Sequence, residues 1–338
     1  AELLAAQAQA VARPNAMERS RCWWGPSRDS ARRLTSQIQR ARGAAEVFEL
    51  ARRHLQNFDH IHTTTCLHVL AKHRNPASAA RSTGRAAEAQ SSAGGATLNK
   101  LAGEVLAELL RTQGGYLRRG ALDGRQLANT IWAIATLQHV ACMPADLMHQ
   151  CAAQLTRRAD HLNPQDVANS LWAFAVLEGC ERDTLMRLAS SRAAADPREF
   201  KPQELSTCLW ALARLGGHDV APQAGPLASA AAARSSELEP QHVANTLWSF
   251  AVLSLPRTGQ LDELTEESLR KAERFRPQEV ANVAWSLSSL HAATAWGPTM
   301  IKLAEVAAAR VPEFKHQELV NTMWAFAEAR DAALWSCR

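Results

Sequence analysis

An eleven-residue apolar segment recurs six times in this chain, and that recurrence limits the fold more than any other feature. The copies are LANTIWAIATL from Leu127, VANSLWAFAVL from Val167, LSTCLWALARL from Leu205, VANTLWSFAVL from Val243, VANVAWSLSSL from Val280 and LVNTMWAFAEA from Leu319. They align without gaps on Trp132, Trp172, Trp210, Trp248, Trp285 and Trp324, at spacings of 40, 38, 38, 37 and 39 residues. A fixed period of this size is the signature of stacked units, each burying its apolar face only against its neighbours. A weaker copy, TTTCLHVLAKH from Thr63, carries His68 in the Trp slot. The longer step from His68 to Trp132 contains a stretch rich in Ala, Ser and Gly, Pro76 to Ala96, which reads as an insertion in a surface loop.

Each unit reads as two helices. Asn163-Pro164-Gln165-Asp166 opens the Trp helix with an N-cap, a proline suited to the first helical position and an acid in the first turn. Pro202, Pro240 and Pro277 repeat the proline. From Val167 to Leu177 nearly every position is apolar, so this helix is expected between neighbours rather than on a surface. The second helix is amphipathic and differs from unit to unit. There is no strand alternation and no βαβ pattern. The expected fold is all-α, an α-solenoid of about seven two-helix repeats of ~38 residues. The expected organisation is a basic leader over 1–33, the degenerate repeat over 34–75, the insertion over 76–97 and the array over 98–338. The last unit stops soon after Trp324, so the array is expected to continue or to be truncated.

Composition removes other classes. No uncharged apolar run approaches the ~18 residues a membrane-crossing helix needs. The seven cysteines are scattered and form no CxxC pair, which argues against a zinc module and a disulfide framework; buried, reduced thiols are expected. Neither a phosphate-binding glycine loop nor a hydrolase or metalloprotease motif is present, so no enzyme, metal or cofactor is expected. Charge is uneven: residues 1–120 hold 18 basic and 9 acidic residues, the remainder 20 and 24. The first 45 residues are Arg-rich, Ala/Ser-rich and poor in acids, as in an organelle transit region; a plain basic tail is the other reading.

Comparison of the copies within the chain separates packing from information. The tryptophans and the small residue after each are constant and read as core wedges rather than base-stacking platforms. The recurring Asn129, Asn169, Asn245, Asn282 and Asn321, with Thr207 in the odd copy, place an amide in an apolar helix, where it needs a partner. One reading is a ladder of amides bonded to the neighbouring helix backbone. The other is a row lining a groove, joined by Gln165, Gln203, Gln241, Gln278 and Gln317 four residues earlier on the same face. The residues after the Gln slot (Gln126, Asp166, Glu204, His242, Glu279, Glu318) vary, as do those before the Leu-Trp pair (Thr130, Ser170, Cys208, Thr246, Val283, Thr322). Such varying polar columns could read a ligand unit by unit, or simply complement the helix dipole. Arg157, Arg158, Arg234, Arg274 and Arg310 recur where the second helix ends. They suit either the helix dipole or a phosphate-tracking edge.

The PQ-x-VANTLWAFA-x-L unit resembles the octotricopeptide repeat of algal organelle RNA-binding proteins. It is also similar to the leucine-rich repeats of FAST-kinase-domain and RAP-domain proteins and to repeats of the trypanosome RNA-editing substrate-binding complex. Residues 34–73 look like the opening of such arrays, and the resemblance extends over about 34–328. Thr207-Cys208 in place of Asn-Thr and Ala284 in place of the Leu before Trp285 depart from it. The resemblance implies sequence-selective binding of single-stranded RNA in the mitochondrial matrix, or in a plastid, serving RNA processing, stability or translation, without chemistry. The alternative is a protein-binding scaffold of armadillo or HEAT type, or a subunit of an organellar ribonucleoprotein complex.

Overall fold

A hydrophobic period of one Trp helix every ~38 residues predicts helices stacked in series, and the computed structural model has that arrangement. It describes residues 28–74, 93–137, 145–177, 182–193, 196–215, 220–256, 259–290 and 297–336. All regular structure among them is helical. The chain divides into two compact units, Ala1–Thr112 and Gln113–Arg338.

In the first unit, α1 (Arg28–Arg40) and α2 (Ala44–His54) pack on α3 (His60–Arg74), the degenerate copy. His62 and His73 on α3 bond through Nε2 to the carbonyls of Ala31 and Ala41, at 2.9 and 3.1 Å. Helix α1 starts at Arg28, inside the basic leader, and α4 (Ala93–Arg118) starts inside the 76–97 stretch. Residues 1–27 and 76–92 of those two segments lie outside the described residues, as does Asn75 at the end of the degenerate repeat.

The second unit is an α-solenoid. Its Trp helices are α5 (Gly124–Leu137), α7 (Pro164–Val176), α9 (Pro202–Leu215), α11 (Pro240–Val252), α13 (Pro277–Ser289) and α15 (His316–Ser336), each packed on the next. A second layer holds α6 (Ala145–Arg157), α8 (Arg182–Leu188, passing into a π turn at Ala189–Ala193), α10 (Ala221–Ala232), α12 (Gly259–Lys271) and α14 (Gly297–Ala309). Each of these packs on its own Trp helix and follows its neighbour in the layer.

Small side chains let the Trp helices approach. Ala128, Ala168, Ser206, Ala244 and Ala281, four residues before each Trp, are all buried. So are Ala135, Ala175, Ala213 and Ser288, seven residues or about two helical turns further on. Two serines show what this column faces: Ser206 Oγ donates to the His242 carbonyl at 3.0 Å, and Ser288 Oγ to the Ala325 carbonyl at 2.6 Å. Both acceptors belong to the following Trp helix. On α15 the equivalent side is open, with Val320 and Met323 exposed.

The link from second helix to Trp helix is a single 3-10 turn, as at Ala159–His161, Ser235–Glu237 and Ala272–Arg274. An extended residue follows and plugs the core: Leu162, Phe200, Leu238, Phe275 and Phe314 are all buried. The described cysteines are buried, unbridged thiols. Burial pushes Cys66 and Cys151 up to about 12, and Cys208 higher still, with the Glu204 charge adding. Cys22, Cys142, Cys180 and Cys337 lie outside the described residues.

Candidate nucleic-acid interface

Spacing of four, then three, residues keeps side chains on one helical face. The Gln, Asn and Trp positions of each Trp helix follow that spacing, as in Gln165, Asn169 and Trp172. The structure leaves this face open. Gln165, Gln203, Gln241, Gln278 and Gln317 are exposed, and Asn129, Asn169, Asn245, Asn282 and Asn321 are half-buried. In the first copy the Gln slot holds an exposed arginine, Arg125.

The tryptophans are therefore not the core wedges expected from their apolar surroundings. Trp132, Trp172, Trp210, Trp248 and Trp285 are half-buried, and Trp324 is exposed. The core is filled instead by the residues before and after them: Leu171, Ala173 and Phe174 around Trp172 are each 3 % exposed or less. Trp132 and Trp172, on successive helices, have ring centroids 6.3 Å apart at a tilt of 37°. The Arg214 guanidinium lies 5.7 Å from the Trp210 ring centroid.

The amide ladder is also not realised. The side chains of Asn129, Asn169, Asn245 and Asn282 make no hydrogen bond to other described residues; Asn321 accepts from Gln317 Nε2 at 2.9 Å. These amides avoid a desolvation cost because they are only half-buried. Between α13 and α15 a concavity of about 240 Å³ is lined by Gln278, Asn282, Lys315, Gln317 and Asn321, so two repeats of the predicted stripe share one groove.

Of the two varying columns, only Glu318 is among the residues that line that groove. Thr130, Ser170, Cys208, Thr246, Val283 and Thr322 are buried. The column after the Gln slot caps the helices. Gln126, Glu204, Glu279 and Glu318 each accept from the N–H of the residue three before, at 2.8–3.0 Å. The variable position on the open face is four residues after each Trp: Thr136, Val176, Arg214, Val252, Ser289 and Glu328.

Asp166 shows what the capping column costs. Asn163 Oδ1 already accepts from its backbone N–H at 2.9 Å, and the carboxyl is 5 % exposed. Burial pushes it up to about 6; Arg125 opposes the shift and Asp123 adds to it. A carboxyl raised in the folded state favours folding at low pH, and that contribution is lost as pH climbs from the unfolded value near 4 to about 6. Asp166→Asn should therefore raise stability at pH 7 by about 1–3 kcal/mol and flatten the profile across that window. Urea unfolding between pH 4 and 7 reads both effects, and an unchanged profile would count against the assignment.

The arginines need the largest correction. Arg158, Arg234 and Arg310 do not form a free edge. Each stands fourteen residues before its Trp and donates to the carbonyl of the plug residue one repeat earlier. The bonds are Arg158 Nη1 to Leu122 at 2.9 Å, Arg234 Nη1 to Phe200 at 2.8 Å and Arg310 Nη1 to Phe275 at 2.7 Å. Lys271 fills the same place and donates to the carbonyls of Leu238 and, at 3.1 Å, Ser236. This is a clamp between successive repeats. Arg234 and Arg310 are further neutralised by Glu237 and Glu313, at 2.9 and 2.6 Å. Arg274 pairs with Glu239 at 2.9 Å. Arg157 alone of the five is exposed without a carboxylate partner among the described residues.

Residues 156–171 and 269–283 match the family described as Protein of unknown function (DUF1601). The two segments occupy equivalent places in two repeats, from the clamp cation through the plug to the Asn of the open face. They cover too little of the chain to place it in that family. No curated protein matches the chain.

Proposed function

We propose that the array binds single-stranded RNA along the Gln–Asn–Trp face of its Trp helices, in organellar RNA processing, stability or translation, and does so without chemistry. The observation that carries this reading is the row of half-exposed tryptophans beside amides that have no bond to other described residues. Aromatic faces stack on any base, and free amides can pair with base edges. Trp132 and Trp172 form a tilted pair with ring centroids 6.3 Å apart, so successive repeats offer adjoining aromatic surface for stacking. The organelle rests on the resemblance and on the basic, acid-poor leader.

The test is binding of the full chain to a random single-stranded RNA pool at several salt concentrations, with the bound fraction sequenced. Enrichment of a motif of about six to seven nucleotides is expected, one per repeat. Affinity should fall with salt. Absence of binding at low salt would end the RNA reading and leave a peptide-binding scaffold, whose ligand backbone would take the same amides.

A further inference from the structure

Four arginines converge at one place in the second unit. Arg118 ends α4 and Arg157 ends α6, Arg119 and Arg158 follow them directly, and with Gly120 and Gln154 the four line a cavity of about 420 Å³. Its floor is held in place. Gln154 Nε2 donates to the Leu117 carbonyl at 2.7 Å, and Arg158 Nη1 donates to Gln154 Oε1 at 3.1 Å as well as to Leu122. Arg119 lies over the Tyr116 ring, 4.9 Å from its centroid. Gly120 turns the chain with φ of +66°, and nothing lies within 4 Å of where a side chain would start.

This cluster differs from its counterparts in the same array. Where Arg234 and Arg310 stand, a glutamate three residues on neutralises each. At Arg118 and Arg158 those places hold Ala121 and His161. Among the described residues no carboxylate pairs with any of the four arginines. Cations at helix C-termini balance the dipole, but two such ends supply only about one negative charge against four positive ones. About three positive charges remain unbalanced. A phosphodiester brings one negative charge, whereas a phosphomonoester brings nearly two and three acceptor oxygens, which suits a guanidinium cluster.

We propose that this pocket is a phosphomonoester site that receives the terminal phosphate of the bound RNA strand. The inference rests on the RNA reading for its ligand, though not for its chemistry. Arg158 bonds the Leu122 carbonyl just ahead of α5, so the pocket lies beside the N-terminal end of the first Trp helix, where Arg125 is exposed.

The experiment compares one RNA sequence bearing a 5′-phosphate, a 3′-phosphate or hydroxyls at both ends, against the full chain and its Arg118→Gln/Arg157→Gln variant. Neither residue is a clamp to a described carbonyl, so the fold should persist, which circular dichroism checks. The native chain is expected to prefer one phosphorylated end by about tenfold, a charge-assisted contact. The variant should lose that preference while holding the hydroxyl strand as before. Equal affinity for all three strands would overturn the terminal-phosphate site. If no strand binds, the RNA reading itself has failed, and inorganic pyrophosphate becomes the probe. A rise in melting temperature in the native chain alone would then support a site for small free phosphates and overturn the RNA assignment. No rise would overturn the pocket altogether.

Discussion

Lys271→Ala should destabilise the array by about 3–5 kcal/mol, the usual cost of removing one partner from a buried ion pair. The Lys271 and Glu267 side chains are 11 % and 7 % exposed, and Nζ lies 2.6 Å from Glu267 Oε1. The same ammonium bonds the backbone of the preceding repeat, so its loss leaves Glu267 with only the exposed Arg270 guanidinium, 2.7 Å away, and strands at least two carbonyls. Burial works to raise the Glu267 carboxyl; Lys271 and Arg270 outweigh it and hold the group below its ordinary value. For a lowered carboxyl the stabilisation is present above the unfolded value and is lost as pH falls through the folded one. Urea unfolding followed by helical circular dichroism measures the loss. Stability in such an array spreads through nearest-neighbour interfaces, so an early sub-transition is expected rather than one cooperative step. Arg274→Ala is the contrast. Its pair with Glu239 is 60 % and 66 % exposed, and the cost should stay within about 1 kcal/mol. Equal effects of the two substitutions would show that the clamp does not couple repeats.

Replacing Trp172 and Trp210 by Leu should weaken RNA binding at least about thirtyfold, because each base stacked on an aromatic ring contributes about 1–3 kcal/mol. Leucine keeps apolar contact on the buried side of a half-exposed ring, so melting should move by only a few degrees. Stacking neutralises no phosphate, and the salt slope should be unchanged; Arg118→Gln/Arg157→Gln should reduce it for the preferred end-phosphorylated strand alone. Fluorescence anisotropy across a salt series separates the two behaviours. An affinity that survives both Trp replacements would remove the aromatic face from the proposed site.

The period and helical stacking were readable because the buried positions repeat almost unchanged. Val167, Leu171 and Phe174 are buried, and each stands in a slot that is apolar in all six copies. The open face was harder to see. An apolar run from Val167 to Leu177 masks which side meets solvent, and half-buried tryptophans look like core ones. The Gln165–Asn169–Trp172 spacing was the signal available. The clamp was only half legible: the cation recurs fourteen residues before Trp172, Trp248, Trp285 and Trp324, but its acceptors are backbone carbonyls, which have no letter in the sequence. The capping column misled for a different reason. Asp, Glu, Gln and His can all serve near a helix N-terminus, so variation there reflects chemical equivalence and not a changing ligand.

The distance from one tryptophan to the next is fixed by the alanine and serine column between Trp helices, not by any residue on the open face. Ala128, Ala168, Ser206, Ala244 and Ala281 act as the graduations of a ruler, and their methyl-sized bulk sets how far apart successive bases would be held. One added methylene at a graduation would rescale the footprint at that step while leaving the chemistry of every contact residue untouched. Under the proposed RNA binding, footprint length and base preference would therefore be adjustable at separate positions, the first by side-chain volume beneath the surface and the second by the residues four beyond each Trp.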